Sequence, residues 1–560
     1  MAMDIDNASR GLTNPGAGLL GSNRVLNMKL DFPPPVATFL IVFRPIASVK
    51  PSTPARMALS FSDIVEEARL SARALLDYGD HFFNPTVRLG VTGLSRAGKT
   101  VLITALVHGL TRGGRFPIFE PFATGRIAQA RLEPQPDDAV PRFDYENHVR
   151  TLIEARRWPN STVDISELRL VIDYQRHNGA DRALTLDIVD YPGEWLLDLP
   201  LLNKSYEQWS GESLELSRER LRAPLALAWH THLATLNALD RENEPAALTA
   251  ARLFTDYLRA CRDERFAMSL LPPGRFLMPG NLAGSPALTF APLDLPAGGV
   301  APDGSLWAMM RRRYEAYKDV VVRPFFRDHF SRLDRQIVLV DALAAFNAGP
   351  EALHDLEAAL AGILDCFRIG RSTLLSNLFR PRIDRILFAA TKADHLHHSS
   401  HDRLEAVLRR TVAQAAARAE YAGAEIDVVA LAAVRATREA QVQRGREKLP
   451  SILGTPAADT TAGGQGFNDK GFDGNGLDGN GFDGETEVAT FPGDLPEDPE
   501  ELFRGEGAFR GLSSASAEKA DFRFLRFRPP RLDSQDAAGP VLPHIRLDRA
   551  LQFLIGDRLQ

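Results

Sequence analysis

Short apolar runs bounded by turn residues recur along the chain, and between them apolar positions return every three or four residues. The first run, Val87-Arg-Leu-Gly-Val-Thr, predicts a strand, and a helix from Lys99 to about Leu110 follows it across a glycine-bounded loop. Residues 166–177 and 183–190 alternate apolar and polar positions on either side of Asn178-Gly179, which predicts an antiparallel hairpin. Further buried-strand runs stand at Ile337-Val-Leu-Val-Asp, Ile386-Leu-Phe-Ala-Ala-Thr and Ile426-Asp-Val-Val-Ala-Leu-Ala, with helical segments at 351–367 and 402–421 between them. Strands alternating with helices define an α/β sheet, and the hairpin makes it mostly parallel with one antiparallel strand, a Ras-like arrangement with a large helical insertion.

Domain organisation follows the same pattern. Residues 1–56 read as a disordered N-terminal extension, and 57–195 as the first part of the α/β core, beginning with an amphipathic helix over 62–77. Met57 opens the more protein-like stretch, so Met1 and Met57 are both candidate starts. Residues 196–334 turn helical, with breaks at Pro272-Pro273-Gly274 and at 296–299, and read as an insertion; 335–450 resume the core. A Gly/Asp-rich linker is expected over 451–515, and 516–560 as a C-terminal segment packing on the core, with a late strand at 522–527 and a closing helix at 547–559. Inside the linker a five-residue unit recurs from Gly466-Phe-Asn-Asp-Lys to Gly481-Phe-Asp-Gly-Glu. Its oxygens suit calcium in type, but an EF-hand needs a distal glutamate and flanking helices and the calcium-binding β-helix a longer period, so a flexible loop is expected.

Composition narrows the class. Apolar residues make up 44% and charged residues 25% of 560, the balance of a globular protein in water. A net charge of −6 over that length argues against a general polyanion binder, so no nucleic-acid partner is expected. Cys261 and Cys366 have no metal-like spacing and form no disulfide framework, which fits a reducing cytoplasm. The apolar stretch 36–49 is broken by Arg44-Pro45 and falls short of the ~20 residues of a membrane span.

Three motifs carry chemistry. Gly93-Leu-Ser-Arg-Ala-Gly-Lys-Thr100 fits the phosphate-loop pattern at every fixed position and lies between a strand and a helix. Backbone amides from Gly93, Ser95, Arg96, Ala97 and Gly98 into the helix start at Val101 would cradle phosphates; Lys99 would bridge the β/γ oxygens and the Thr100 hydroxyl would ligate Mg²⁺. Asp190-Tyr-Pro-Gly193 ends the second hairpin arm. A turn accounts for that tetrapeptide alone, but at this position Asp190 would hold Mg²⁺ through water and the Gly193 amide would sense the γ-phosphate. Thr391-Lys-Ala-Asp394 follows the third buried run, and a carboxylate at Asp394 accepts from guanine N1–H and N2–H₂ together, whereas adenine leaves it unpaired. Lys392 would pack its stem over the base, and GTP/GDP is the expected ligand pair.

Gly93-Leu-Ser-Arg-Ala-Gly-Lys-Thr, Asp190-Tyr-Pro-Gly-Glu-Trp-Leu-Leu-Asp, Val338-Leu-Val-Asp-Ala-Leu and Thr391-Lys-Ala-Asp-His together resemble the YcjX family of bacterial P-loop proteins, over roughly 57–446 and again near the C-terminus. The resemblance implies a Ras-like GTP-binding protein with a helical insertion, a link to envelope stress and an inner-membrane partner. A cytoplasmic protein, peripheral at the inner membrane, is the matching expectation. It also maps the family's Trp-Pro-x-x-Thr onto Trp158-Pro-Asn-Ser-Thr162, making Thr162 the switch I candidate for Mg²⁺; a helix-capping threonine is the alternative. Glu194 stands where Ras-type enzymes carry their water-orienting glutamine, and adds charge beside the γ-phosphate. Arg96 resembles the built-in arginine finger of guanylate-binding proteins and atlastins, the alternative being a surface ion pair; a nucleotide-dependent homodimer belongs to the same expectation. Ala432-Ala-Val-Arg435 is a weak match to a base-supporting loop, and His395, His397, His398 and His401 read as a solvated histidine-rich loop, with His397 and His401 at helical spacing. Three functions compete: a GTPase switch acting on a partner through the insertion, a nucleotide-binding scaffold with little turnover, and a P-loop ATPase.

Overall fold

The computed structural model describes residues 85–94, 96–365, 383–421, 423–444, 446–457, 484–492, 494–503, 525–532 and 540–560. The N-terminal extension, the helix expected over 62–77, Ser95, Cys366 and the repeat up to 483 lie outside the described residues.

The central sheet is seven-stranded: β1 (Thr86–Gly93), β2 (Ile127–Glu133), β3 (Ser166–Gln175), β4 (Asp181–Asp190), β5 (Arg335–Val340), β6 (Arg385–Ala390) and β7 (Glu425–Ala430), in spatial order β2-β3-β4-β1-β5-β6-β7. β4, β1, β5, β6 and β7 run parallel, and β3 lies antiparallel between β2 and β4, in register from Ser166 opposite Asp190 to Gln175 opposite Asp181. This is the Ras-like α/β sheet, in which the parallel strand ends gather β1, β4, β5 and β6 at one rim. β2 is absent from the sequence reading because Ile-Ala-Gln-Ala-Arg-Leu-Glu is a largely solvated edge strand with only a weak apolar pattern.

Five helices matter for the site: α1 (Lys99–Arg112), α2 (Glu244–Arg262), α3 (Pro350–Asp365), α4 (His401–Tyr421) and α5 (Leu547–Ile555). Alternate strand residues face opposite ways. Leu89, Val91, Ile337, Leu339 and Leu387 meet Leu102 and Leu106 of α1 and Leu551 and Leu554 of α5 on one face. Val338, Val340, Ile386, Phe388 and Val428 meet Leu353 of α3 and Leu404 and Leu408 of α4 on the other. Each such side chain taken from water contributes about 1.5–3 kcal/mol, so α5 closes the core although it lies at the far end of the sequence.

Between β4 and β5 the chain builds a helical region around buried Trp209, Trp229, Phe254, Phe290, Trp307 and Tyr314, with Trp209 and Tyr314 stacked at 5.2 Å. Val189, Tyr191 and Trp195 belong to the same cluster, so the chain leaving β4 is part of the insertion's own core. Asp198 reinforces the joint: it accepts from Gly274 N at 2.7 Å, Arg275 N at 3.3 Å and the Tyr317 hydroxyl at 2.7 Å. A second, three-stranded sheet follows the core, with β8 (Arg438–Arg444), β9 (Glu447–Gly454) and β10 (Val488–Thr490) antiparallel. The second half of β9, all of β10 and the short helix Glu500–Phe503 occupy the described ends of the stretch read as linker, where the composition of the repeat hid them. The late strand expected over 522–527 shows, among its described residues, an isolated bridge from Phe527 to Pro456. Among the described residues no helix is long and apolar enough to cross a membrane.

Candidate functional site

β1 ends at Gly93 beside Leu339 of β5, where an added Cβ would meet the Leu339 carbonyl oxygen at 2.8 Å, so close strand packing requires glycine. The chain then turns through left-handed backbone at Arg96 (φ 61°) and Gly98 (φ 86°) into α1, whose N-terminus aims its amides and positive dipole end at the loop. The Lys99 ammonium is buried and donates to the Gly93 carbonyl at 3.0 Å, folded across the loop it opens. Val101 follows in the first turn of α1, half-buried.

Thr100 comes from α1, Thr162 from the loop before β3, and Asp190 from the end of β4. The Thr162 hydroxyl donates to Asp190 Oδ2 at 2.7 Å and lies 3.3 Å from the Thr100 hydroxyl. Asp190 is 2% exposed, and its second oxygen, Oδ1, is buried without a hydrogen-bond partner. Burial pushes the Asp190 carboxyl up to about 6, with the Lys99 ammonium and the Thr162 hydroxyl pulling it back. Hard oxygen donors gathered at one point, one of them an orphaned carboxylate oxygen, fit Mg²⁺ in type.

Gly193 packs on the same loop so tightly that a Cβ there would meet the Gly93 carbonyl oxygen at 1.9 Å. Glu194 follows, buried, 3.6 Å from the guanidinium of Arg262 at the end of α2. Its backbone abuts Gly274, where a Cβ would meet the Glu194 carbonyl oxygen at 1.7 Å. The Arg96 side chain, half-exposed, pairs with Glu264 just beyond α2. Sequence offered a finger or an ion pair for Arg96, and in this structure the ion pair is made.

On the other side of the loop, Thr391 N and its hydroxyl both bond the Val340 carbonyl, at 2.9 and 3.3 Å, fixing the turn after β6. Lys392 takes left-handed backbone (φ 61°) and sets its ammonium 2.5 Å from Asp341 Oδ2 at the end of β5. Asp394 is buried; its Oδ2 accepts from Ala436 N at 2.9 Å and its carbonyl from the Thr437 hydroxyl. The loop supporting Asp394 therefore acts through Ala436 and Thr437, just past the Ala432–Arg435 stretch named from sequence, while Leu431 accepts from Ala393 N at 3.1 Å.

The histidines behave differently from one another. His401 is buried, its Nε2 2.9 Å from the Ala393 carbonyl, and α4 begins there, so His397 and His401 share no helix. His395 packs edge-on to Phe527 at 5.5 Å, which withdraws it from a freely solvated loop. His397 and His398 come together with Glu439, but His398 is committed to Glu439 at 3.0 Å and Glu439 also to Arg435, an ordinary ion-pair arrangement. Sequence reasoning missed Arg262, Glu264 and Arg526, whose partners lie far away along the chain and leave no local pattern, and it quoted Asp341 within Val338-Leu-Val-Asp-Ala-Leu without giving it a role.

A central parallel strand ending in a phosphate loop, an Asp-Tyr-Pro-Gly turn closing on that loop and a carboxylate held at the next rim position define a Ras-like P-loop protein. The chain belongs to the YcjX-like family, DUF463, whose match spans residues 87–559. It is 34% identical over 498 residues to the Ras-like GTPase YcjX of Escherichia coli (strain K12), covering 85% of this chain and 96% of that protein. It is also 34% identical over 502 residues to the Ras-like GTPase YcjX of Shewanella oneidensis, covering 85% of this chain and 95% of the relative.

Proposed function

We propose that this chain is a magnesium-dependent GTP-binding protein that hydrolyses GTP and works as a nucleotide-controlled switch. The observation that carries the reading is the meeting of Lys99, Thr100, Thr162 and Asp190, brought from three separate parts of the chain to one buried corner. Two relatives of nearly full length bear the name Ras-like GTPase, which supports the same reading.

The loop amides from Gly93 to Val101 bind phosphate oxygens, and Lys99 leaves the Gly93 carbonyl to bridge the β- and γ-phosphates. Thr100, Thr162 and Asp190 would hold Mg²⁺, whose charge neutralises the phosphates when bound. Gly193 presents its amide to the γ-phosphate, and its contact with Gly93 couples the sensor to the loop. Asp394, oriented by the Ala436 amide, takes the guanine N1–H and N2–H₂, with Thr391 and Lys392 flanking the base. Arg96 supplies positive charge to the transition state, and Glu194 is the candidate for positioning water. Because the segment after Gly193 is built into the insertion core, ordering it on GTP reaches the insertion directly. An envelope-stress role, an inner-membrane partner and a nucleotide-dependent homodimer rest on family likeness alone.

The pairing of Glu194 with Arg262 favours a second reading, a nucleotide-binding scaffold with slow turnover. Single-turnover hydrolysis separates the two. Base choice tests the guanine assignment: GTP should outcompete ATP, and Asp394→Asn should move the preference toward xanthosine triphosphate. Equal binding of ATP and GTP by the folded protein sinks it.

A further inference from the structure

The turn that ends α2 carries four charges in a row, Arg262, Asp263, Glu264 and Arg265, of which Asp263 and Arg265 pair with each other at 3.0 Å. Two of them reach the nucleotide loops: Arg262 stands beside Glu194, and Glu264 pairs with Arg96. The same oxygen of Glu264, Oε1, also pairs with Arg526 from the C-terminal segment. Arg526 is brought there by its neighbour: Phe527 packs on His395, directly after Asp394, and its carbonyl accepts from Trp158 Nε1 at 2.7 Å, in the loop that bears Thr162. Beside Arg262 and Glu264 opens a cavity of about 180 Å³ whose wall includes Arg96, Glu194, Arg526, Lys392 and Asp341.

Two guanidiniums converging on one carboxylate oxygen form a two-arginine anion clamp, a geometry suited equally to a phosphate oxygen. Burial, and then the nearby Arg96 charge, lower Arg526 from its ordinary value, which fits two cations close enough to repel one another. Within this arrangement the anion is Glu264, on an element that the rest of the insertion can move.

We propose that Glu264 is an internal competitor for the nucleotide's phosphates: it holds Arg96 and Arg526, and a bound triphosphate takes both arginines from it. The proposal rests on the reading of Gly93–Thr100 as a phosphate site, and adds Arg526 to its contacts and Glu264 to its control. A triphosphate carries more charge than a carboxylate and repels Glu264 once the arginines turn to it. The turn is then displaced, together with Arg262, from its contacts. The insertion thereby senses the triphosphate from the loop side as well as through Gly193.

Equilibrium binding of a non-hydrolysable GTP analogue and of GDP to the full chain tests this. With each side chain about half exposed (54% for Arg96, 51% for Glu264, 50% for Arg526), the competition is screened and its effect modest. Glu264→Gln should tighten the triphosphate analogue by about two- to fivefold, the size of a half-exposed ion pair, and GDP by less. Glu264→Asp should stay near wild type, and the gain should shrink in an Arg526→Ala background. A natively folded Glu264→Gln protein that binds the analogue no more tightly than wild type overturns the proposal, as does a gain undiminished without Arg526. Base preference, read through Asp394→Asn, stands or falls independently of that gain, so failure of the guanine reading and failure of the competitor are separately visible.

Discussion

The corner formed by Lys99, Thr100, Thr162 and Asp190 and the corner formed by Arg96, Glu264 and Arg526 flank the same loop, yet water treats them differently. In the first, Lys99 is 8% and Asp190 2% exposed, so a charge deprived of its partner has no solvent to turn to. In the second every member is half in water, and a broken pair is rehydrated at little loss. Burial therefore fixes the corner proposed for phosphate and metal as a permanent feature of the fold, while the arginine corner can exchange partners. The contrast is sharpest at Arg96, whose main weight should lie in the transition state, with only a few-fold share in binding the triphosphate. Arg96→Ala is expected to slow single-turnover GTP hydrolysis by about 10³–10⁵ while changing thermal stability by less than about 1 kcal/mol. Hydrolysis at the wild-type rate in that variant removes the finger role.

The buried corner should respond in binding. Lys99→Ala removes the ammonium proposed to meet the phosphates, and truncating one partner of a buried charge pair in a complex costs about 2–5 kcal/mol, so magnesium-dependent triphosphate affinity should fall by more than about thirtyfold. Calorimetry showing affinity within tenfold of wild type would place the phosphates elsewhere.

The two corners also differ in how far the sequence shows them. Lys99 and Thr100 follow a strand within a spaced glycine motif, and Asp190 ends a hairpin arm, so local pattern alone locates them. Thr162 needed the family resemblance. Glu264 stands 168 residues from Arg96, and nothing in either neighbourhood forecasts the pairing. The strands were legible where a short buried run met a turn, and β2 was not, because a solvated edge strand has no such run. His401 shows the converse error: a histidine-rich string reads as a solvated loop, while a single acceptor, the Ala393 carbonyl, draws that ring inside.

A third buried carboxyl lies behind the first corner, where Asp198 fastens the chain leaving Gly193 to the insertion. Burial pushes its carboxyl from 3.8 up to about 6, outweighing the donors from Tyr317, Gly274 and Arg275. Its folded value lies above its unfolded one, so the native state keeps a proton that the unfolded chain has already released. This contribution to stability is full below about pH 4 and falls as the pH rises to about 6, by up to roughly 3 kcal/mol. Asp198→Asn cannot titrate, so its stability deficit against wild type should narrow between pH 4.5 and 7.5 in chemical denaturation. A deficit constant over that range would mean that Asp198 is already ionised throughout.

The smallest expected effects come from two glycines of the buried corner, which are glycine for different reasons. At Gly193 a methyl group would lie 1.9 Å from the Gly93 carbonyl oxygen, backbone against backbone, so the sensor must move off the phosphate loop. Gly193→Ala should cost about 1–3 kcal/mol of stability, as overpacking does, and should also reduce the preference for triphosphate over diphosphate. At Gly98 no protein atom lies within 4 Å of the added carbon, and only the left-handed backbone at φ 86° resists it. Gly98→Ala should therefore cost about 1 kcal/mol in thermal denaturation without nucleotide, the strain of one L-residue in that region. If Gly98→Ala proves the more damaging of the two, the tight seat of the sensor on the loop is not what holds this corner together.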